Sequence, residues 1–296
     1  MFEKNNLTLN FKSRLGLFIC ITLIGLIICS IFSMVALSIW GENTSAVRIS
    51  TIIQDLILFI APAIIISLFI TRLPADFLLL RNKVSLTSII LTAFILILSV
   101  PMMNFIVHCN ESIAFPDSLK GFENIIKSME QKSQQSIDIL LGFKNNPSVI
   151  NLIMSILIVG LLTGLSEELF FRGALQNLFH TRPMNIHYAI WITAVIFSAM
   201  HFQFYGFVPR VLIGAFFGYL AVWSGSLWLP VFAHALNNSL VVLSTWLLAR
   251  NSLTIDINKV GTEASSTSAT LIAISAIATT LGIIVLYKHL HKKKIN

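Results

Sequence analysis

What most constrains this chain is a repeated run of apolar residues long enough to cross a bilayer. A hydrocarbon core takes roughly 20 residues of helix to span. Such runs occupy Leu15 to Trp40, Thr51 to Ile70, Ser85 to Val107, Val149 to Phe179, His187 to His201, Phe207 to Trp223, Leu227 to Leu248 and Ala269 to Tyr287. The expected fold class is therefore all-α, a polytopic membrane protein of about eight transmembrane helices. Composition leads the same way, because 56% of the 296 residues are hydrophobic and only 11% are charged. A soluble domain needs about a quarter of its residues charged to cover its surface. The first run is read as a retained span, since its apolar stretch far exceeds the roughly 7 to 15 residues of a signal-peptide core.

The net charge of +7 is informative through its placement rather than its total. Basic residues cluster at the ends of apolar runs, as cytoplasmic flanks facing anionic headgroups do, and this pattern argues against nucleic acid as a partner. An even number of spans puts both termini on one side. That side collects twelve basic residues, including Lys4, Lys12, Arg14, Arg81, Arg182, Lys293 and Lys294, against eight on the other, including Arg48, Arg210 and Lys259. The expectation is an integral protein of a bacterial cytoplasmic membrane with both termini cytoplasmic. Cys20, Cys29 and Cys109 build no disulfide framework.

Three regions are expected. Residues 1–147 form an N-terminal three-helix membrane region. Its loop, 108–147, repeats apolar residues with a period near 3.6 (Phe122, Ile125, Ile126, Met129) and reads as an interfacial amphipathic helix. Residues 148–249 form a catalytic membrane core. Residues 250–296 form a small-residue linker, the last span and a basic tail.

An ionisable group in hydrocarbon is a functional hypothesis by default, so their inventory matters. Of seven histidines, His201 and His234 fall well inside apolar runs; of thirteen acids, Glu167 and Glu168 do. Asp55 is borderline and is counted with the loop and end acids. Adjacent helical residues diverge by about 100°, whereas residues four apart share a face. Glu168 and Arg172 are therefore natural partners, leaving Glu167 to project elsewhere; Phe197 shares a face with His201, and His234 with Asn238. At 1.5 Å per residue, Glu167, His201 and His234 lie about 12 to 21 Å in from the ends expected on the cytoplasmic side. The run from Val149 to Phe179 is too long to stand upright, so it must tilt, bend near Gly160 or Gly164, or emerge from the membrane.

In order along the chain stand Glu167-Glu168-Leu-Phe-Phe-Arg172, Phe197-Ser-Ala-Met-His201 and His234-Ala-Leu-Asn-Asn238. Together these resemble the EExxxR, FxxxH and HxxxN motifs of the type II CAAX prenyl endopeptidase and bacteriocin-processing family of intramembrane proteases, also called Abi or lysostaphin resistance protein A-like. The resemblance covers roughly Leu157 to Leu243. It implies an eight-helix endopeptidase in which Glu167 and His201 activate a water while His234 and Asn238 hold the oxyanion. Glu168, Arg172 and Phe197 would support them. A buried carboxylate acting as base, and amide and imidazole donors facing developing charge where water is scarce, agree with that chemistry.

The substrate stays open between CAAX-type processing of a peptide or lipidated protein and bacteriocin maturation or self-immunity. So does metal. Glu167, His201 and His234 form a ligand set that catalytic zinc uses, yet there is no HExxH helix, and Glu167 spent on a metal leaves only the arginine-paired Glu168 as base. The competing reading is a non-enzymatic scaffold or transporter-like protein whose buried polar cluster is helix glue or a proton relay; the lack of an inverted repeat stands against it. Partners beyond the substrate and the lipid bilayer, and an oligomeric state, are not assigned.

Overall fold

The computed structural model describes residues 9–113, 115–180, 184–252, 260–262 and 266–292. Lys4, Arg182, Lys259, Lys293 and Lys294, which entered the charge count, lie outside them, as does part of the expected linker. In chain order the principal helices are α1 (Phe11–Trp40), α2 (Thr44–Ile70), α3 (Leu86–Glu111), α4 (Lys120–Leu141), α5 (Val149–His180), α6 (Ile186–Ala199), α7 (Phe207–Ser224), α8 (Trp228–Ala249) and α9 (Ser266–Lys292). Seven are long and apolar enough to cross a membrane, and α6 is a shorter apolar helix of 14 residues. Among the described residues all regular structure is helical, and each of the eight apolar runs falls on a helix. The protein is a polytopic membrane protein.

Local sequence sets the helix starts. The side chains of Asn10, Asn43, Ser85 and Ser148 each accept a hydrogen bond from a backbone N–H three residues on, satisfying donors that a first turn leaves free. The long α5 run contains two π-helical stretches, Ile156–Leu162 and Leu169–Gln176, around the α-helical segment Thr163–Glu168. The first stretch contains Gly160, and Gly164 is the second residue after its end. A Cβ on Gly164 would stand 3.0 Å from the backbone nitrogen of Ala235, so α5 and α8 meet backbone to backbone there, as small residues permit in membrane helices.

Outward faces remain apolar: Ile27, Phe94 and Ile277 are 58%, 59% and 61% exposed, which suits hydrocarbon rather than water. Inside, Phe18 of α1 and Phe59 of α2 close on Phe170 of α5, with ring centroids 4.8 and 5.4 Å apart. A second core joins α3, α7, α8 and α9 through Leu96, Phe217, Leu229 and Leu286.

The loop 108–147 folds around α4, which buries Ile126 and leaves Phe122, Ile125 and Met129 exposed. Arg48, taken from the sequence as a flanking charge, reaches into the bundle instead. It donates to the Leu140 and Leu141 carbonyls at 2.9 and 3.0 Å, a cation at the carboxyl end of α4 where free carbonyls collect. The same guanidinium donates to Asn151 and Ser155, pinning α4 to the start of α5.

The alternation of spans sets α4 on the face opposite the described chain ends. With both ends cytoplasmic, a cysteine replacing Lys292 should resist a membrane-impermeant thiol reagent in intact cells, while one replacing Glu123 should react, in a background without Cys20, Cys29 and Cys109. The reverse labelling pattern would invert the orientation.

Candidate active site

The cluster is built on α5, α6, α7 and α8. Arg172 has no solvent exposure, and its guanidinium is spent inside the bundle. Nη1 donates to Glu168 Oε1 at 2.6 Å and Nη2 to the Gly214 carbonyl of α7 at 2.8 Å. The Phe197 ring lies against it, 4.7 Å from the guanidinium carbon to the centroid, a cation–π contact that costs no water. Glu168 Oε1 also accepts from His234 Nδ1 at 2.8 Å, so one carboxylate oxygen joins α5 to α8.

Glu167, one residue earlier, is turned elsewhere. Its Oε2 lies 3.7 Å from His234 Nε2, too long for a hydrogen bond, and has no partner. His234 thus faces both glutamates, one through each ring nitrogen. With Nδ1 donating to Glu168, Nε2 is a bare lone pair in the neutral ring and a donor only in the imidazolium.

His201 is not inside a helix, as its apolar surroundings suggested. α6 stops at Ala199, and His201 stands in the following turn, ahead of Phe202 with φ 53°. A bulky side chain in that left-handed region carries strain, which collects at functional sites. The His201 Nδ1 donates to the Phe197 carbonyl at 2.8 Å, since a carbonyl only accepts, leaving Nε2 with its lone pair. The Phe197 ring is the common neighbour, its centroid 5.0 Å from that of His201 and 5.9 Å from that of His234. Asn238 lies one turn beyond His234 on α8, where its Nδ2 donates to the Val159 carbonyl at 3.1 Å, inside the first π-helical stretch of α5. One amide hydrogen remains for other work.

Glu168 therefore bonds both Arg172 and His234, Glu167 comes within 3.7 Å of His234, His201 joins through Phe197, and Asn238 is held nearby by α5. The zinc-type set of Glu167, His201 and His234 is not assembled as ligands: among the described residues no three His, Cys, Asp or Glu side chains group to hold a metal ion. The two nitrogens of His234 instead face carboxylates.

Two ionisable residues were misplaced by the sequence. Asp55, grouped with the loop and end acids, is 1% exposed inside α2. Its two oxygens accept from Thr163 Oγ1 and Ser166 Oγ of α5, each at 2.9 Å, on the turn directly before Glu167. The hint was a carboxylate a few residues inside an apolar run. Arg210, placed with the outer flank, lies in the first turn of α7 and is hydrogen-bonded to Gln203. Nothing in its spacing marked it.

An acid–base cluster inside an all-helical membrane bundle defines the class. Residues 149–240 match the family model for type II CAAX prenyl endopeptidase, Rce1-like, the family that the three motifs resemble. The chain is also similar to uncharacterized protein YpbD of Bacillus subtilis (strain 168), 31% identical over 83 residues, which cover 27% of this chain. It spans 39% of that relative's length. No solved structure matches it.

Breaking a buried pair on one side strands the other charge, at a cost of about 3 to 5 kcal/mol. Arg172→Ala should accordingly lower the folded yield and the unfolding midpoint in detergent, because Glu168 keeps only His234. A midpoint equal to the parent's would remove Arg172 from the role of anchor.

Proposed function

We propose that the protein is an intramembrane endopeptidase that hydrolyses peptide bonds with a water activated inside the bundle. The observation that carries this reading is the division of labour between neighbouring glutamates. Glu168 is tied through Oε1 to Arg172 and His234, its Oε2 having no partner, whereas Glu167 is held by no hydrogen bond among the described residues and its Oε2 is buried beside His234. Glu167 takes the proton from water, and the free Nε2 of His201 positions that water by accepting its other hydrogen. The oxygen attacks the peptide carbon. His234, as imidazolium paired with Glu168, and the remaining Asn238 amide hydrogen donate to the carbonyl oxygen as it becomes an oxyanion. The proton held by Glu167 then passes to the departing amine, so the atoms balance with water as the only co-reactant.

The substrate class follows the family match: a membrane-associated peptide or lipidated protein, with CAAX-type tail processing preferred and bacteriocin maturation or self-immunity the other option within the same chemistry. The proposed home is a bacterial cytoplasmic membrane with both termini inside. Helix rise supports cleavage toward the terminal side, since Glu167 lies about 20 Å from the His180 end of α5 and His234 about 9 Å from the Trp228 end of α8.

Glu167→Ala, His201→Ala and His234→Ala should abolish peptide cleavage by purified protein with near-normal expression, and Asn238→Ala should lower turnover by about 100-fold, the loss typical of one oxyanion donor. Cleavage that survives Glu167→Ala would leave the cluster as helix glue or a relay. Metal is tested separately. Activity should persist through chelation with no stoichiometric bound ion; zinc at one equivalent, removed with loss of cleavage and restored with its return, would replace this mechanism with a zinc one.

A further inference from the structure

α7 opens with a cation that the proposed mechanism leaves unused. Arg210 lies in the first turn of α7, and His201 stands in the turn between α6 and α7, near enough for the two charges to act on each other. The guanidinium is held but not satisfied. Its Nη2 donates to Gln203 Oε1, and Gln203 in turn donates to Ser133 Oγ of α4 at 2.8 Å. Its Nη1 is buried with no partner.

Among the described residues Arg210 makes no ion pair. The carboxylates whose field it feels are Glu167 and Glu130, and Glu130 already accepts the Tyr205 N–H at 2.6 Å. The guanidinium also lies against Gly206, where a Cβ would stand 2.8 Å from Nη2.

A tether for Gln203 would need one nitrogen. The second is buried within the field of Glu167 and lacks an anion. A carboxylate suits it, because a guanidinium fork presents paired donors to two oxygens and such charge-assisted bonds are the strong ones. We propose that Arg210 binds a carboxylate of the substrate peptide, the terminal one or an acidic side chain, and so sets which bond lies against Glu167. This rests on the endopeptidase reading above. Cleavage then falls close to the anchored carboxylate.

The experiment uses the full chain in detergent and one peptide sequence in three forms: free acid, carboxy-terminal amide, and amide with a glutamate as last residue. The parent protein should cleave the free acid with kcat/KM on the order of 10- to 100-fold above the amide, the value of a hydrogen bond to a charged group, expressed mainly in KM. Arg210→Gln should collapse the ratio of acid to amide cleavage to about one, and Arg210→Lys should recover part of that ratio. Rescue of the amide by the glutamate would assign the carboxylate to a side chain; no rescue would assign it to the terminus. Equal cleavage of all three peptides by the parent overturns the proposal while leaving the protease reading intact. So does an Arg210→Gln protein that loses acid and amide alike, the signature of a tether. Failure of the parent to cleave any peptide instead overturns the protease reading on which the proposal rests.

Discussion

A guanidinium with no exposure in the middle of a membrane bundle must find its compensation within the protein, and Arg172 finds it through both terminal nitrogens while its Nε has no partner. Its donors reach a carboxylate one turn back on α5 and a carbonyl on α7, while an aromatic face on α6 covers it. The carboxylate so held accepts from His234 on α8 as well. Four helices are thereby fixed relative to one another by groups that have no other place to go, since leaving any of them unpaired in low dielectric is far costlier than in water. The apolar contacts that surround this cluster, with Phe171 and Phe197 centroids 5.0 Å apart, keep water away from it and strengthen each bond inside.

Glu167 and Glu168 show how one residue type acquires two roles. They are neighbours on the short α-helical segment between the two π-helical stretches of α5, and a helical step of about 100° sends them to different surroundings. The π-helical stretches on either side are where extra residues are accommodated without breaking the helix, a feature frequent at functional sites. Asp55 holds this segment from α2 by accepting the hydroxyls of Thr163 and Ser166, so the turn that presents Glu167 is fixed by α2 as well as by α8.

How much of this was legible depends on range. Span number and the Glu168–Arg172 pairing follow from periods of 3.6 residues and runs of about 20, which are local properties of the chain. The link from Glu168 to His234 separates its partners by 66 residues, and no periodicity encodes it; the ordered motifs did. The end of α6 at Ala199 was hidden because His201, Phe202 and Phe204 continue an apolar pattern with no proline or glycine to mark the stop. Asp55 and Arg210 were missed for one reason, that proximity to the end of an apolar run was taken as exposure. In the fold α4 and α5 cover those ends.

The loop between α6 and α7 sets an irregular stretch of backbone beside the cluster. By helix rise its residues sit roughly 20 to 25 Å from the far ends of the helices it joins, within the hydrocarbon thickness, where irregular backbone survives only if protein buries it or water reaches it. Polar side chains from two other elements meet the need. Asn110 of α3 donates to the Phe204 carbonyl and accepts from the Val208 N–H, at 3.0 and 3.1 Å, and Glu130 of α4 accepts from the Tyr205 N–H. Polar contacts of this kind exchange readily with water, unlike the aromatic seal around Arg172. The cluster is thus bounded by two kinds of wall, an aromatic one around Arg172 and a polar one at the turn between α6 and α7, and α4 lies over the polar one.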